Sequence, residues 1–189
     1  MKLIILDRDG VINHDSDAFI KTPDEWIPID GSLEAIADLT REDYQVVIVT
    51  NQSGIARGLL SINTLNQIHQ KLLDQLHSLG GEISAIFFCP HGADDDCMCR
   101  KPLPGMFHDL SKRLRVDLAG VYAVGDSVRD LQAATRAGAT AIAVRTGKGM
   151  RTQMARSQGE IEDVPHDTPT FDDLSTFVKV LLSGDTATL

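Results

Sequence analysis

The sequence has no apolar run near the ~18–20 residues needed to cross a bilayer, so no transmembrane helix is expected. Cysteine is scarce: three residues, an odd number, all between positions 89 and 99. A disulfide framework would leave one thiol over and belongs to small secreted folds, so metal binding is the better expectation. Basic residues are also short, 18 Lys and Arg against 27 Asp and Glu, for a net charge of −9. A chain this acidic lacks the field that draws nucleic acid, and any phosphate it handles must be held by a local basic cluster. Internal repeats and low-complexity tracts are absent. The opening MKLIILDRDG offers too few apolar residues for a signal peptide and reads as a buried first strand, which points to the cytoplasm.

What is present is a globular composition, 42% hydrophobic and 24% charged. At 189 residues the chain is expected to form one domain, 1–189, rather than two. Short β-branched runs at 3–7, 46–50, 83–89, 120–126 and 140–145 alternate with helical patterns at 32–40, 105–115 and 128–137. The clearest helix carries Ile62, Leu65, Ile68, Leu72, Leu76 and Leu79, with Ser61 as N-cap and Gly80-Gly81 as terminator. A polar loop is expected from about 147 to 170, then a last helix at about 172–183; the final residues 183–189 are expected to be loose. The alternation predicts an α/β doubly wound, Rossmann-like and mostly parallel sheet with helices on both faces. Ligands in such folds bind beyond the carboxyl ends of the strands.

The strand ends carry chemistry. The first ends in Asp7-Arg8-Asp9-Gly10, the second in Thr50-Asn51-Gln52-Ser53-Gly54 and the fourth in Gly125-Asp126-Ser127, with Asp130 one turn on; Arg100-Lys101-Pro102 precedes the helix leading into that fourth strand. Each segment alone could be a turn or cap. Together they put Asp7, Asp9 and Asp126 at one edge, where like charges repel unless a cation lies between them. Oxygen ligands suit magnesium, Lys101 can clamp a phosphoryl group and Thr50 can donate a hydroxyl.

These motifs resemble the haloacid dehalogenase superfamily over residues 3 to about 145. The resemblance implies a capless phosphatase in which Asp7 is the nucleophile and Asp9 the acid and base. It also implies magnesium held by Asp7, the Asp9 carbonyl and Asp126, with Asp130 orienting the fourth motif or Lys101. No cap domain of ~50 or more residues fits the ~35 residues after Gly10. Loops would cover the site, with Arg57 and Trp26 as rim candidates, though a lone Trp more often packs in a core. His14, His69, His77, His108 and His166 show no catalytic spacing and read as surface or core residues.

Cys89, His91, Cys97 and Cys99 match the ligand set of a closed, structural zinc site, with Asp94–Asp96 as the solvated tip of the loop. This loop running into Arg-Lys-Pro resembles two families, heptose bisphosphate phosphatases and histidinol phosphatases. Residues 50–58, TNQSGIARG, resemble the heptose family more closely. That implies substrate contacts from Asp15, Ala18, Thr50, Asn51, Gln52, Ser53, Arg57, Arg100 and Lys101. The segment is expected to lack an aromatic near position 18; Val11 stands where Thr is usual, and Ser127 where some relatives carry Lys. The expected substrate is a small phosphorylated sugar and the expected state a monomer in a Gram-negative cytoplasm, serving nucleotide-activated heptose synthesis. The alternatives are a histidinol or other small-molecule phosphatase, a phospho-accepting switch resembling a receiver domain, and a zinc-stabilised binding module with a dead site.

Overall fold

The computed structural model describes residues 2–184. Besides a short 3-10 helix at Pro23–Glu25, six strands and six α-helices alternate along them: β1 (Lys2–Leu6), α1 (Ser32–Arg41), β2 (Tyr44–Asn51), α2 (Ile62–Ser78), β3 (Ala85–Cys89), α3 (Gly105–Leu114), β4 (Tyr122–Gly125), α4 (Val128–Arg136), β5 (Thr140–Val144), α5 (Gly149–Ser157), β6 (Thr170–Phe171) and α6 (Leu174–Ser183). The strands form one six-stranded sheet in the order β3-β2-β1-β4-β5-β6, and every pairing is parallel.

Alternation along the strands builds two cores, because successive side chains point to opposite faces. Ile4, Leu6, Val46, Ile48, Ile142 and Val144 face α1, α2 and α6, meeting Ile36, Leu72 and Phe177. Leu3, Ile5, Val47, Val49, Ala123 and Ala141 face α3 and α4, meeting Phe107, Leu110 and Leu131. The side chain of Ser61 caps α2 by accepting from Thr64 N–H, and Gly80 leaves the helix at φ +78°. Trp26 is 0% exposed and belongs to the first core, so it is not a rim residue.

The segment expected as a polar loop contains α5 and β6 instead. α5 buries only Gly149 and Thr152 and exposes Met150 and Met154, so its sequence shows no apolar stripe. β6 is only two residues long and joins the sheet edge beside β5. The third strand starts at Ala85 rather than 83, and α6 starts after its N-cap Asp173. Most of the expected loose end, residues 185–189, lies outside the described residues. Among the described residues no helix is long and apolar enough to cross a membrane.

Candidate active site

The side on which successive strands are added switches at β1: β2 and β3 lie on one side, β4 to β6 on the other. A crevice opens there beyond the strand ends, as expected at a topological switch point. Leu6 pairs with Val124, and Asp7 N–H donates to the Val124 carbonyl at 2.9 Å, so Asp7 and Asp126 leave adjacent strands side by side. Lys101 enters from the segment before α3. Its Nζ lies 2.9 Å from Asp7 Oδ1 and 2.5 Å from Asp130 Oδ1, and donates to the Val49 carbonyl at 2.8 Å. Burial disfavours the charged ammonium, but Asp130 and Asp7 outweigh it and raise its pKa.

Oxygens of Asp7, Asp126 and Asp130 all lie within 4.8 Å of one another. Burial, together with Asp130 and Asp9, pushes the Asp7 carboxyl up to about 7 despite Lys101. Burial and the charges of Asp130 and Asp7 push Asp126 up to about 8. Asp130 is also buried, but Lys101 and Ser127 hold it below its usual range. One ammonium therefore neutralises only part of the charge of three carboxylates, and Asp7 and Asp126 need a further cation to ionise together. A Cβ at Gly10 or at Gly147 would run into Asp126 Oδ2, so both glycines are needed for that carboxylate to lie where it does. Asp126 is fixed by Lys148 N–H donating to Oδ2 at 2.6 Å and by Thr152 Oγ donating to its carbonyl at 2.7 Å. This donor set fits magnesium, which takes one or two carboxylates and keeps positions for water and phosphate.

Asp9 faces a different set of groups. Its carboxylate accepts from Arg8 Nε and Nη2, from Asn13 Nδ2 at 2.9 Å and from Gln52 Nε2 at 2.8 Å. Burial pulls its pKa up, but Arg8 and these hydrogen bonds prevail and hold it below the usual carboxylate range. Its carboxyl is engaged by these donors and is not one of the three carboxylates that lie within 4.8 Å of one another. Arg8 and its partner His69, both buried, were not singled out by their spacing in the sequence.

The cleft is about 290 Å³, at the small end for a small-molecule site. Thr50, Asn51, Gln52, Ser53, Arg57 and Arg100 line it together with Asp7, Asp9, Lys101 and Asp126. Asp15 lines it too and pairs with Lys148 Nζ across the mouth. Ala18 is exposed and does not line the cleft, whereas its neighbour Phe19 does, under the Arg57 guanidinium at 5.7 Å. The aromatic expected to be missing is therefore present one residue later. Ser127 and Asp130 form a capping box at the start of α4, which gives Ser127 a structural task. Lys148 and Arg129 also line the cleft, and neither carried a sequence signal.

Beside the cleft, Cys89, His91, Cys97 and Cys99 bring three thiols and an imidazole within 4.8 Å of one another. Sγ–Sγ distances of 3.1 and 3.9 Å from Cys89 bracket the ~3.8 Å edge of a tetrahedron built on Zn–S bonds of ~2.3 Å. His91 Nδ1 lies 3.2 Å from Cys99 Sγ. The cluster fits zinc with no open position, and Arg100 is tied to it by donating to the His91 carbonyl at 3.0 Å.

Residues 98–175 match the HAD-hydrolase-like family model. A D-glycero-beta-D-manno-heptose-1,7-bisphosphate 7-phosphatase from Bordetella bronchiseptica is 57% identical over 182 residues, covering 96% of this chain and 98% of that protein. The chain belongs to that phosphatase family. A Pseudomonas putida protein of the same name is 48% identical over 182 residues, covering 96% of this chain and all of that one (100%). The crystal structure of D,D-heptose 1,7-bisphosphate phosphatase from B. bronchiseptica, complexed with magnesium and phosphate, superposes with a TM-score of 0.91 at 56% identity, covering 97% of this chain and 99% of that one. The haloacid dehalogenase-type fold expected from the strand-end motifs is thus the fold of this family.

Proposed function

We propose that the chain is a magnesium-dependent phosphatase that removes the 7-phosphate of D-glycero-D-manno-heptose 1,7-bisphosphate. The observation that carries this is 57% identity, over nearly the full length of both chains, to a protein that bears that activity in its name. That name specifies the β anomer, which is the anomer proposed here.

In the proposed reaction an Asp7 oxygen attacks phosphorus while the bond from phosphorus to the C7 oxygen breaks. Asp9 gives its proton to that leaving oxygen. The phosphoryl group arriving in the cleft brings negative charge beside Asp9 and raises its affinity for the proton. Asp9, now ionised, takes a proton from water, the water oxygen attacks phosphorus, and the Asp7–phosphorus bond breaks to release inorganic phosphate. Asp7, the Asp9 carbonyl and Asp126 would hold magnesium, which would supply positive charge to the phosphoryl oxygens. Lys101 adds a fixed positive charge next to Asp7, and Thr50 and Ser53 offer hydroxyls to the transferring group. Asn51, Gln52, Arg57, Arg100 and Asp15 are assigned to holding substrate or the loops around it, and Ala18 is replaced in that role by Phe19. Zinc on Cys89, His91, Cys97 and Cys99 would fasten the segment that delivers Arg100 and Lys101.

The proposed setting is a single-domain monomer in the cytoplasm of a Gram-negative bacterium, supplying nucleotide-activated heptose synthesis. Phosphate release with magnesium should be compared on both anomers of the heptose bisphosphate, histidinol phosphate and common sugar phosphates. The β anomer should lead in kcat/KM by at least about tenfold, a difference of ~1.4 kcal/mol in transition-state binding. A lead for histidinol phosphate would leave the phosphatase chemistry standing and overturn the substrate.

A further inference from the structure

The Arg8 side chain is 0% exposed, and a guanidinium has donors only, so every acceptor it uses is a fixed part of the fold. One edge meets Asp9: Nε lies 3.1 Å from Oδ1, and Nη2 lies 2.9 Å from each carboxylate oxygen. The other edge places Nη1 3.2 Å from Nε2 of His69, a buried residue of α2. Arg8 cannot accept, so His69 Nε2 must present its lone pair and the imidazole is neutral, with its proton on Nδ1. Burial and the Arg8 charge push the His69 pKa down to about 4, in keeping with a permanent acceptor.

We propose that His69 is a positioning residue for the acid–base step: through Arg8 it holds the Asp9 carboxyl so that its proton can face only the cleft. The proposal rests on the assignment of Asp9 as the acid. The side-chain atoms hydrogen-bonded to that carboxyl are all donors: Arg8 Nε and Nη2 on one side, then Asn13 Nδ2 and Gln52 Nε2. A protonated Asp9 finds no acceptor among these contacting atoms as they are oriented, and its O–H is directed to the open cleft that Asp9 lines. There the proton passes to the C7 oxygen as the bond from that oxygen to phosphorus breaks and the Asp7–phosphorus bond forms. Without His69 the buried Nη1 loses its acceptor, the guanidinium is free to turn in search of another, and the orientation of Asp9 goes with it.

A purely structural role would reduce turnover of every substrate alike, whereas a misplaced acid harms only substrates whose leaving oxygen needs a proton. The ratio of kcat/KM for heptose 1,7-bisphosphate, an alkyl phosphate, to that for 4-nitrophenyl phosphate, whose anion departs unaided, separates the two. This parameter ends at phosphoryl transfer, so later hydrolysis of the phospho-enzyme does not enter it. Asp9→Asn sets the reference and should lower the ratio strongly, by about a hundredfold, as loss of a general acid does. His69→Leu should lower it by about tenfold or more, and His69→Gln, whose amide oxygen can accept from Arg8, should restore most of it. If His69→Leu does not fold, His69→Asn, whose amide is too short to reach Arg8, should show the same selective loss. An unchanged ratio in Asp9→Asn overturns the assignment of Asp9 and the role of His69 with it. A selective loss in Asp9→Asn with an unchanged ratio in the His69 variants overturns the role of His69 alone.

Discussion

Asn51 grips the main chain of Lys101 from both sides: its Nδ2 donates to the Lys101 carbonyl at 3.0 Å, and its Oδ1 accepts from Lys101 N–H at 3.1 Å. This pair of bonds joins the end of β2 to the segment leaving the Cys/His cluster, and it sets where the Lys101 ammonium emerges beside Asp7. Zinc and Asn51 thus act on the same segment from its two ends.

Asn51→Ala removes both bonds, each contributing about 0.5–1.5 kcal/mol net. The kcat should fall about tenfold or more if that energy is expressed in the placement of Lys101. Zinc content, measured by atomic absorption, should not change.

Cys97→Ser takes one ligand from the cluster and should lower zinc content. The melting temperature should drop by roughly 5 °C or more, since each kcal/mol shifts a domain of this size by about 2–4 °C. Activity should fall with zinc occupancy, because the loop that positions Arg100 loses its anchor at His91. A zinc-free variant with wild-type melting and activity would contradict the structural role.

Gly147 sits at φ +57°, and a Cβ there would meet Asp126 Oδ2 and, at 2.6 Å, the Gly10 Cα. Gly147→Ala must therefore displace the Asp126 carboxylate or its loop. Magnesium affinity, read by titration calorimetry, should weaken by more than about tenfold, a loss of ~1.4 kcal/mol.

Stability should also depend on pH in a defined direction. Folding raises the Asp7 and Asp126 carboxyls from 3.8 to about 7 and about 8, so the folded chain holds more protons than the unfolded one up to that range. Stability contributed by these two groups is present at low pH and is lost as pH rises through the folded values. His69 acts in the opposite direction, gaining stability as pH rises between about 4 and 6.5, so the informative window lies above 6.5. Without magnesium the melting temperature should fall from pH 6.5 to 8.5. Saturating magnesium should flatten that slope by pairing with the ionised carboxylates.

Local chemistry made much of this molecule legible. Asp7, Thr50 and Asp126 end apolar strands, and a doubly wound sheet brings strand ends to one edge, so residue type and position sufficed. Ser61 and Gly80 marked the ends of α2 because capping and left-handed backbone leave specific residue types behind. What stayed hidden depends on tertiary contact. His69 meets Arg8 across 61 positions, and Lys148 meets Asp15 across 133, with no spacing to signal either. Phe19 points into the cleft from a loop at φ +65°, a backbone state that leaves no periodicity to read. α5 escaped because its two buried residues, Gly149 and Thr152, are not apolar side chains.

The proposed chemistry hinges on a covalent bond between Asp7 and phosphorus, and rapid acid quench tests it most directly. The enzyme should be mixed with heptose 1,7-bisphosphate and magnesium, quenched within the first turnover, treated with hydroxylamine and mapped by mass spectrometry. Modification at Asp7 in the wild type and none in Asp7→Asn is the predicted result. Full turnover by Asp7→Asn, or phosphate trapped on any other residue, would contradict the account.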